Sequence, residues 1–388
     1  MPHLSVRSSA APGILLGVAL LLSQPRAARA ESSVSYKYED YRESDGRIVV
    51  KTQNALVEQD LGPDMHLKVQ GVIDAIAGAT PNGQPAPAGS DQVPLTNLTE
   101  RRKAWNADFA RQFAPMRLEL GVANSRESDY VSTGWSVNTL TDFNQKNTTL
   151  LLGAAGTDDD VKVFYQTPWA RKRSNDVIAG VTQLLDPQTS VSFNLTWGHA
   201  NGFLNDQYKL VEKRMEVAPG VFLPFTFGEN RPDTRTRWIA LAALNRAFPV
   251  QHGAIDASYR FYHDTFGTDA HTIEIHWVQR LGQKFILEPE FRWYDQTAAD
   301  FYHYRLDDTA IVPVSGPPRP QGPFYSSDYR LSSLRTTLVG LKAVWTPAPH
   351  WQLDAAVERY DMRGNDGRTP QSAYPRATMI TGGARFSW

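Results

Sequence analysis

The sequence contains no cysteine. That excludes disulfide staples, thiolate metal sites, thiol nucleophiles and c-type haem attachment by this chain. Charge of one sign is also missing in excess, with 40 Lys and Arg against 41 Asp and Glu. Without a basic surplus to neutralise phosphates, a nucleic-acid partner is not expected. No apolar run reaches the roughly 18 residues of a spanning helix. Phosphate-binding glycine loops are absent, and no amphipathic helix stands out after Ala30. The mean hydropathy is −0.41, which taken alone describes a soluble chain. At 388 residues there is room for two or three ordinary domains, or for one large closed sheet.

The first 30 residues read as a secretory signal peptide. Arg7 gives a positive start, Gly13–Leu22 an apolar core too short to span a bilayer, and Ala28-Arg29-Ala30 a small-x-small cleavage site. No cysteine follows to take a lipid. Removing the signal takes Arg7, Arg26 and Arg29 but no acid, so the 40 basic residues become 37 against 41 acidic. The mature chain, 31–388, is therefore exported and mildly acidic.

What fills that mature chain is period-2 alternation, the signature of half-buried strands. In Thr189–Asn201, Val191, Phe193, Leu195 and Trp197 share one face, opposite Ser192, Asn194, Thr196 and Gly198. Met116–Asn124, His271–Leu281, Lys284–Gln296 and Trp351–Tyr360 repeat the pattern, with charge opposite the apolar stripe. A soluble sandwich alternates in the same way. The connections separate the two cases. Short turns at Leu61–Asp64, Ala114–Pro115, Gln145–Asn147, Asp186–Gln188, Pro249–Gln251, Gly282–Gln283 and Thr346–His350 alternate with longer or more polar links. Those links are Thr80–Thr99, Arg126–Tyr130, Gly156–Arg173, Gly202–Asp233, Gly267–Asp269, Thr297–Arg330 and Gly364–Pro375. Tight turns at one rim and long loops at the other are the asymmetry of outer-membrane barrels. The expected fold is all-β: a single transmembrane antiparallel up-and-down β-barrel of about 16 strands. Its strands start at Ser32–Tyr41 and Arg47–Asp60 and finish at Arg376–Trp388, with both termini periplasmic. Thr148–Ala155, Ser174–Leu185 and Thr234–Ala247 are the strands whose outward face the pattern leaves open.

Aromatic placement agrees with a membrane. Trp277, Phe285, Trp345, Trp351 and Trp388 gather at the short turns, where amphipathic rings favour the headgroup boundary. The last strand places Ile380, Gly382, Ala384, Phe386 and Trp388 on one face and ends the sequence as printed. It resembles the C-terminal signal of outer-membrane barrel proteins, in which Phe386 and Trp388 would be read by the barrel-assembly machinery of a Gram-negative envelope. The segment Ser35-Tyr36-Lys37-Tyr38-Glu39-Asp40-Tyr41-Arg42-Glu43-Ser44-Asp45-Gly46-Arg47-Ile48 resembles the opening of an uncharacterised bacterial family, catalogued as a domain of unknown function and thought to form outer-membrane barrels. That resemblance implies association with a small lipoprotein, a thioredoxin-like protein or a flavin-attaching enzyme. It transfers no catalytic residue.

The inward face of such a barrel carries Arg117, Glu119, Asp256, Arg260, Glu274, His276, Arg280, Glu288, Glu290, Arg292, Lys342, Asp354, Glu358 and Arg385. These side chains are equally suited to lining an aqueous pore and to bracing neighbouring strands by cross-strand pairing. His271, Glu274 and His276 look like a metal cluster in linear text, but strand parity turns His271 away and leaves fewer ligands than zinc needs. Phe301–Tyr304 reads as an aromatic cluster at the rim. Asp158–Asp160 and Asp307–Asp308 read as solvated acidic turns in external loops, because no glycine-spaced Asp-x-Asp-x-Asp loop is present. No motif surrounds a serine or histidine in the manner of a barrel hydrolase, and neither an enzyme nor a cofactor is expected. The Pro-rich segments Ile311–Pro323 and Asn82–Pro94 should be semi-rigid loop, suited to folding into the mouth as a constriction or a docking surface. Three functions remain in order of preference: a porin-like channel for small polar solutes or ions, a structural sheath or docking barrel for an envelope redox or flavin-carrying partner, and a barrel hydrolase.

Overall fold

A computed structural model describes residues 32–388; the expected signal peptide lies outside the described residues. Strands dominate: β1 Ser33–Glu43, β2 Val49–Asp60, β3 Met65–Pro81, β4 Leu95–Phe113, β5 Met116–Arg126 and β6 Tyr130–Phe143. There follow β7 Thr148–Val161, β8 Ala170–Asp186, β9 Thr189–Gly202, β10 Leu210–Ala218, β11 Val221–Gly228 and β12 Thr234–Phe248. The chain ends with β13 Gly253–Asp264, β14 Asp269–Leu281, β15 Phe285–Gln296, β16 Leu334–Ala348, β17 Trp351–Gly364 and β18 Arg376–Ser387. All but β10 and β11 form one closed antiparallel barrel in which each strand pairs with its sequence neighbours. Between β9 and β12 the chain leaves the wall to make the separate β10–β11 hairpin. The barrel is sixteen-stranded, as the alternation of turns and loops requires.

Closure runs from Ser33 opposite Ser387 to Glu43 opposite Ala377. It leaves no free edge, which is the condition for strands to stand in lipid with every backbone group paired. The outward face is apolar and bare: Val122, Val177, Leu195, Val339, Val357 and Ile380 are each at least half exposed. On β15 the outward residues Phe285, Leu287, Phe291 and Trp293 give way to Asp295. Nine residues at about 3.3 Å each, tilted by roughly 40°, span about 20–25 Å, the height of a lipid-facing band. At the turn rim Phe285 stacks on Trp345 at 6.1 Å, Phe248 lies 5.6 Å from Trp277, and Phe386 lies 5.1 Å from Trp351 and 6.1 Å from Trp388. A second aromatic ring at the loop side, Trp105, Trp135, Trp197, Trp238 and Trp293, completes the band. Only the ring at the turns is expected from the sequence.

One expectation needs correction. The acidic run Asp158–Asp160 is not a loop; it lies within β7, because β8 runs alongside it with the matching charges and β6 supplies hydroxyls. Asp158 and Asp160 face outward to Arg173 and Arg171 at 2.7 and 3.7 Å, while Asp159 faces inward to Lys172 at 3.3 Å and to Ser132 and Tyr130. Alternating neutralisation across two strands lets an acidic triplet persist as strand. The link Gly202–Asp233, one of the long links expected from the sequence, folds into the β10–β11 hairpin.

Candidate functional site: a charged lumen closed by a loop cap

The interior follows from strand parity. On β14, Ile273 and Ile275 are exposed outward, so Glu274 and His276 point into the lumen, while His271 points out and meets Tyr259 Oη at 2.7 Å. Register then brings Asp256 and Glu290 opposite His276 on the flanking strands. His276 Nε2 lies 2.7 Å from Glu274 Oε1, and its Nδ1 lies 3.4 Å from Glu290 Oε2. Lys342 Nζ reaches Glu288 at 2.6 Å, and Arg260 donates to Thr272 at 3.2 Å. Arg292 sits opposite Glu274 in the ladder, and Gly340 stands between Glu290 and Glu358. On this wall Asp256, Glu274, Glu288, Glu290, Asp354 and Glu358 outnumber Arg260, Arg292 and Lys342. Arg280 lies exposed at the turn end of β14.

Of the remaining sequence-marked residues, Arg117 and Glu119 pair with each other, while Arg385 and Asp354 lie beside partners not marked from the sequence. Arg117 pairs with Glu119 at 3.0 Å, Arg385 with Glu58 at 3.4 Å, and Asp354 with Lys37 at 3.5 Å. Asp74 receives Arg102 Nε at 2.6 Å. Glu58, Asp74 and Arg102 escaped because the outward stripe of β2–β4 is interrupted by Lys51, Gln53 and Lys103, and Lys37 lies between the outward Tyr36 and Tyr38 of β1. Their inward parity was the available signal. Among the described residues no group of three or more His, Asp or Glu is placed to hold a metal ion.

The wall across the lumen is different in kind. Strands β6–β9 turn Ser136, Asn138, Gly153, Ala155, Gly180, Thr182, Ser192 and Asn194 inward, with charges confined to their ends at Asp142, Asp159, Lys172 and Asp176. The side chains of Asn138 and Asn194 lie flat over Gly153 and Gly180, where any Cβ would collide with them. Leu140, Leu151 and Ile178 form a small apolar cluster in the same wall. A charged strip thus faces a wall of small, uncharged groups.

Accessibility grades along the axis. The turn-side half and middle of the lumen carry wet side chains, with Lys37 48% exposed, Arg117 41%, Arg385 43% and, at mid-strand, Glu274 41%, beside more enclosed carboxylates such as Asp354 at 7%. Towards the loops the interior is filled. Tyr329, carried inward by the 297–333 loop, packs on Val93, Leu334 and Tyr374 and against the inward-facing Tyr294 and Met362. Below it, Tyr41, Ile48, Ala377 and Met379 close the wall. Phe266, Ala299, Phe301 and Leu331 make a third cluster, with Phe301 edge-on to Phe266 at 4.9 Å. The Pro-rich segment Ile311–Pro323 serves as a buttress, with Val314 packed on Val211, Leu306 and Tyr325 at the hairpin stem. The cavity left between Lys209, Tyr304 and Tyr329 is about 10 Å³, room for a single water.

Buried charge holds this cap together. Asp328 is 1% exposed and receives Arg330 Nε at 2.8 Å and Arg231 Nη2 at 2.8 Å. Arg330 also reaches Asp206 at 2.8 Å, and Arg231 reaches Glu229 at 2.6 Å. Lys209 is buried, with Nζ on the Pro81 carbonyl and over the Tyr329 ring at 5.7 Å. Burial alone would raise the Asp328 pKa, but Arg330, Lys209 and Arg231 hold it well below the usual carboxylate range. Burial pushes the Lys209 ammonium down and the Tyr329 phenol up to about 12. The result is a barrel open to water at the turn rim and shut at the loop rim.

This geometry agrees with comparisons to known proteins. A family model described as "Protein of unknown function (DUF3570)" matches residues 4–173 and 166–376. No curated protein matches. Among solved structures, CdiB from Acinetobacter baumannii aligns over 94% of this chain and 61% of its own length, at 6% identity and TM-score 0.50. A bacterial polysaccharide outer membrane secretin aligns over 93% of this chain and 99% of its own, at 9% identity and TM-score 0.49. OmpT, an outer membrane protein of Vibrio cholerae, aligns over 93% and 98%, at 9% identity and TM-score 0.42. At 6% identity the likeness to CdiB is one of fold. The closed antiparallel barrel with its outward apolar band places the chain in the outer membrane of a Gram-negative bacterium.

Proposed function

The chain belongs to the family described as Protein of unknown function (DUF3570), and for this member we propose a porin-like passage for small polar solutes and ions, closed on the outer side by its loop cap. The observation that carries this reading is the accessibility gradient: water reaches the charged strip from the periplasmic rim and stops at the cap. A wet, charged lumen stabilises polar solutes that hydrocarbon rejects. The excess of carboxylates on β13–β17 favours cations over anions. The passage needs no chemical step, and the cap makes it conditional on loop movement.

Planar-bilayer recording tests this reading on the refolded full chain. The expected result is brief, low-conductance openings with cation preference, becoming frequent when the cap charges are broken by Asp328→Asn. Silence in both wild type and variant overturns it.

A second reading, a docking barrel for an envelope redox or flavin-carrying partner, is favoured by the same vestibule opening only towards the periplasm. Pull-down from native membranes with the barrel as bait would then recover a lipoprotein or thioredoxin-like protein along with the assembly machinery. Recovery of the barrel and assembly machinery alone argues against it.

A further inference from the structure

On the outer face of the barrel, at the loop-side rim, cations are as a rule cancelled by a neighbouring acid. Asp40 receives Arg42 through both oxygens at 2.6 and 2.9 Å, Asp158 and Asp160 take Arg173 and Arg171, Asp295 takes Arg335, and Asp361 takes Arg363. One sector departs from that rule. On β2, β4 and β5, Lys51, Arg101, Lys103 and Arg126 point outward and are exposed. Among the described residues none of the four has a carboxylate within ion-pair distance. Arg359 of β17 also lacks one, but it is held by Thr378 Oγ1 at 2.8 Å.

Register draws these four together. Lys103 and Arg126 are direct ladder partners. Arg101 is the next outward residue of β4, and it and Lys51 flank Ala75 of β3 in one row. The cluster spans three strand spacings, roughly 15 Å. Acids close by are turned away or engaged. Asp74 faces inward to Arg102, Glu100 accepts from the Ser128 and Arg101 backbones, and Asp40, opposite Lys51, is taken up by Arg42. Trp105, the outward residue just below Lys103, is half exposed, and Phe113 stands on the same face at the turn rim. From Phe113 to Trp105 the tilted strand rises about 20 Å, the height of the lipid-facing band. The cluster therefore begins roughly 5 Å beyond the outer hydrocarbon boundary, at the depth of the outer-leaflet headgroups.

We propose that Lys51, Arg101, Lys103 and Arg126 form a docking site for the phosphate groups of a multiply phosphorylated, acylated glycolipid of the outer leaflet. Guanidinium and ammonium groups stay charged across the physiological range, and cations clustered at headgroup depth recognise phosphate. Four uncancelled charges over three strand spacings exceed what one phosphate satisfies. A zwitterionic phospholipid brings a phosphate balanced by its own amine, whereas a sugar headgroup with several phosphates matches both the charge and the width. The site lies on the lipid-facing wall, apart from the lumen and the cap, and does not depend on whether solutes pass.

Native mass spectrometry of the full detergent-solubilised barrel tests the proposal. A diphosphorylated hexa-acyl glycolipid, its dephosphorylated counterpart and phosphatidylglycerol are added in turn at equal concentration. Wild type should retain the diphosphorylated glycolipid in preference to both others. Replacing all four cations by Gln (Lys51→Gln, Arg101→Gln, Lys103→Gln, Arg126→Gln) should lower that retention by roughly tenfold or more. Heat-modifiable mobility on gels shows that the variant barrel is folded, as expected for exposed outward positions. Lys146→Gln with Lys284→Gln, which removes cations at the opposite rim, should leave retention unchanged. Inorganic phosphate at the lipid concentration should not displace the glycolipid. Undiminished retention by the folded fourfold variant overturns the proposal. Equal retention of the dephosphorylated glycolipid or of phosphatidylglycerol by wild type, or full displacement by free phosphate, also overturns it.

Discussion

The cap is held by charges that cannot be removed singly without leaving a partner stranded, and Asp328→Asn exploits this. Asp328 is buried, accepts from the Arg330 and Arg231 guanidiniums, and receives the Arg330 backbone N–H at 3.1 Å. The amide keeps the shape and loses the charge, leaving the mostly buried Arg231 and the partly buried Arg330 guanidiniums to share Asp206 and Glu229. Breaking a buried pair in this way costs about 3–5 kcal/mol. At 1.4 kcal/mol per tenfold, cap opening should become roughly a hundred- to several-thousand-fold more frequent. Hydrogen exchange reads the change directly, since the amides of Leu331 and Ser332 close on Asp328 and Tyr329 within the cap. Their protection should fall by that factor while barrel-strand amides are untouched. Adding Arg330→Met should recover part of the loss, because one stranded cation is gone. Protection within threefold of wild type for Asp328→Asn would refute the role given to these charges.

Four further outcomes are expected. Because the folded pKa of Asp328 is depressed, its contribution is complete above the ordinary carboxylate pKa of about 3.9 and is lost as pH falls towards the folded value. Exchange in the cap should therefore accelerate below about pH 4, whereas Glu229, raised by burial against the pull of Arg231, acts in the opposite sense above that pH; a cap insensitive to pH 3 contradicts this. Glu274→Gln with Glu290→Gln should reduce cation preference in reversal-potential measurements without loss of heat-modifiable mobility on gels, and an unchanged potential would move the selective strip elsewhere. Gly180→Ala sets a methyl against Asn194 and should destabilise the barrel by about 1–3 kcal/mol in denaturant titration; neutrality would mean that the small-residue wall has slack. Trp388→Ala with Phe386→Ala removes the Phe386 ring beside Trp351 and the Trp388 ring stacked on Phe386 and should slow membrane assembly several-fold in a folding time course, with normal kinetics counting against an assembly signal there.

The strand pattern was legible because a strand in lipid must present hydrocarbon at every second residue, and that demand is written locally. Val191, Phe193, Leu195 and Trp197 could be read as outward from the chain alone, as could Glu274 and His276 as inward. The same parity removed His271 from any cluster with them. Where the outward stripe is broken, as at Lys51, Gln53 and Lys103, the inward charges Glu58, Asp74 and Arg102 went unread. The acidic run Asp158–Asp160 was misplaced because its cancelling partners, Arg171–Arg173, lie on a different strand, and only pairing makes a triplet of acids acceptable in a sheet.

The sequence by itself determined the class of the fold, a strand number of about 16 and the lipid-facing side of the cleanly alternating strands, since each depends on local alternation and on the lengths of links. Tertiary structure decided whether the lumen is open. The cap is assembled from Val93, Lys209, Arg231, Asp328, Tyr329 and Tyr374, which come from separate loops and have no periodicity to announce them. Their attraction exists only once barrel closure has brought the loop ends to one rim, where burial strengthens each charge pair. The negative mean hydropathy has the same resolution: the apolar residues are sorted outward by the pleat, and the polar remainder encloses a vestibule that the loops close.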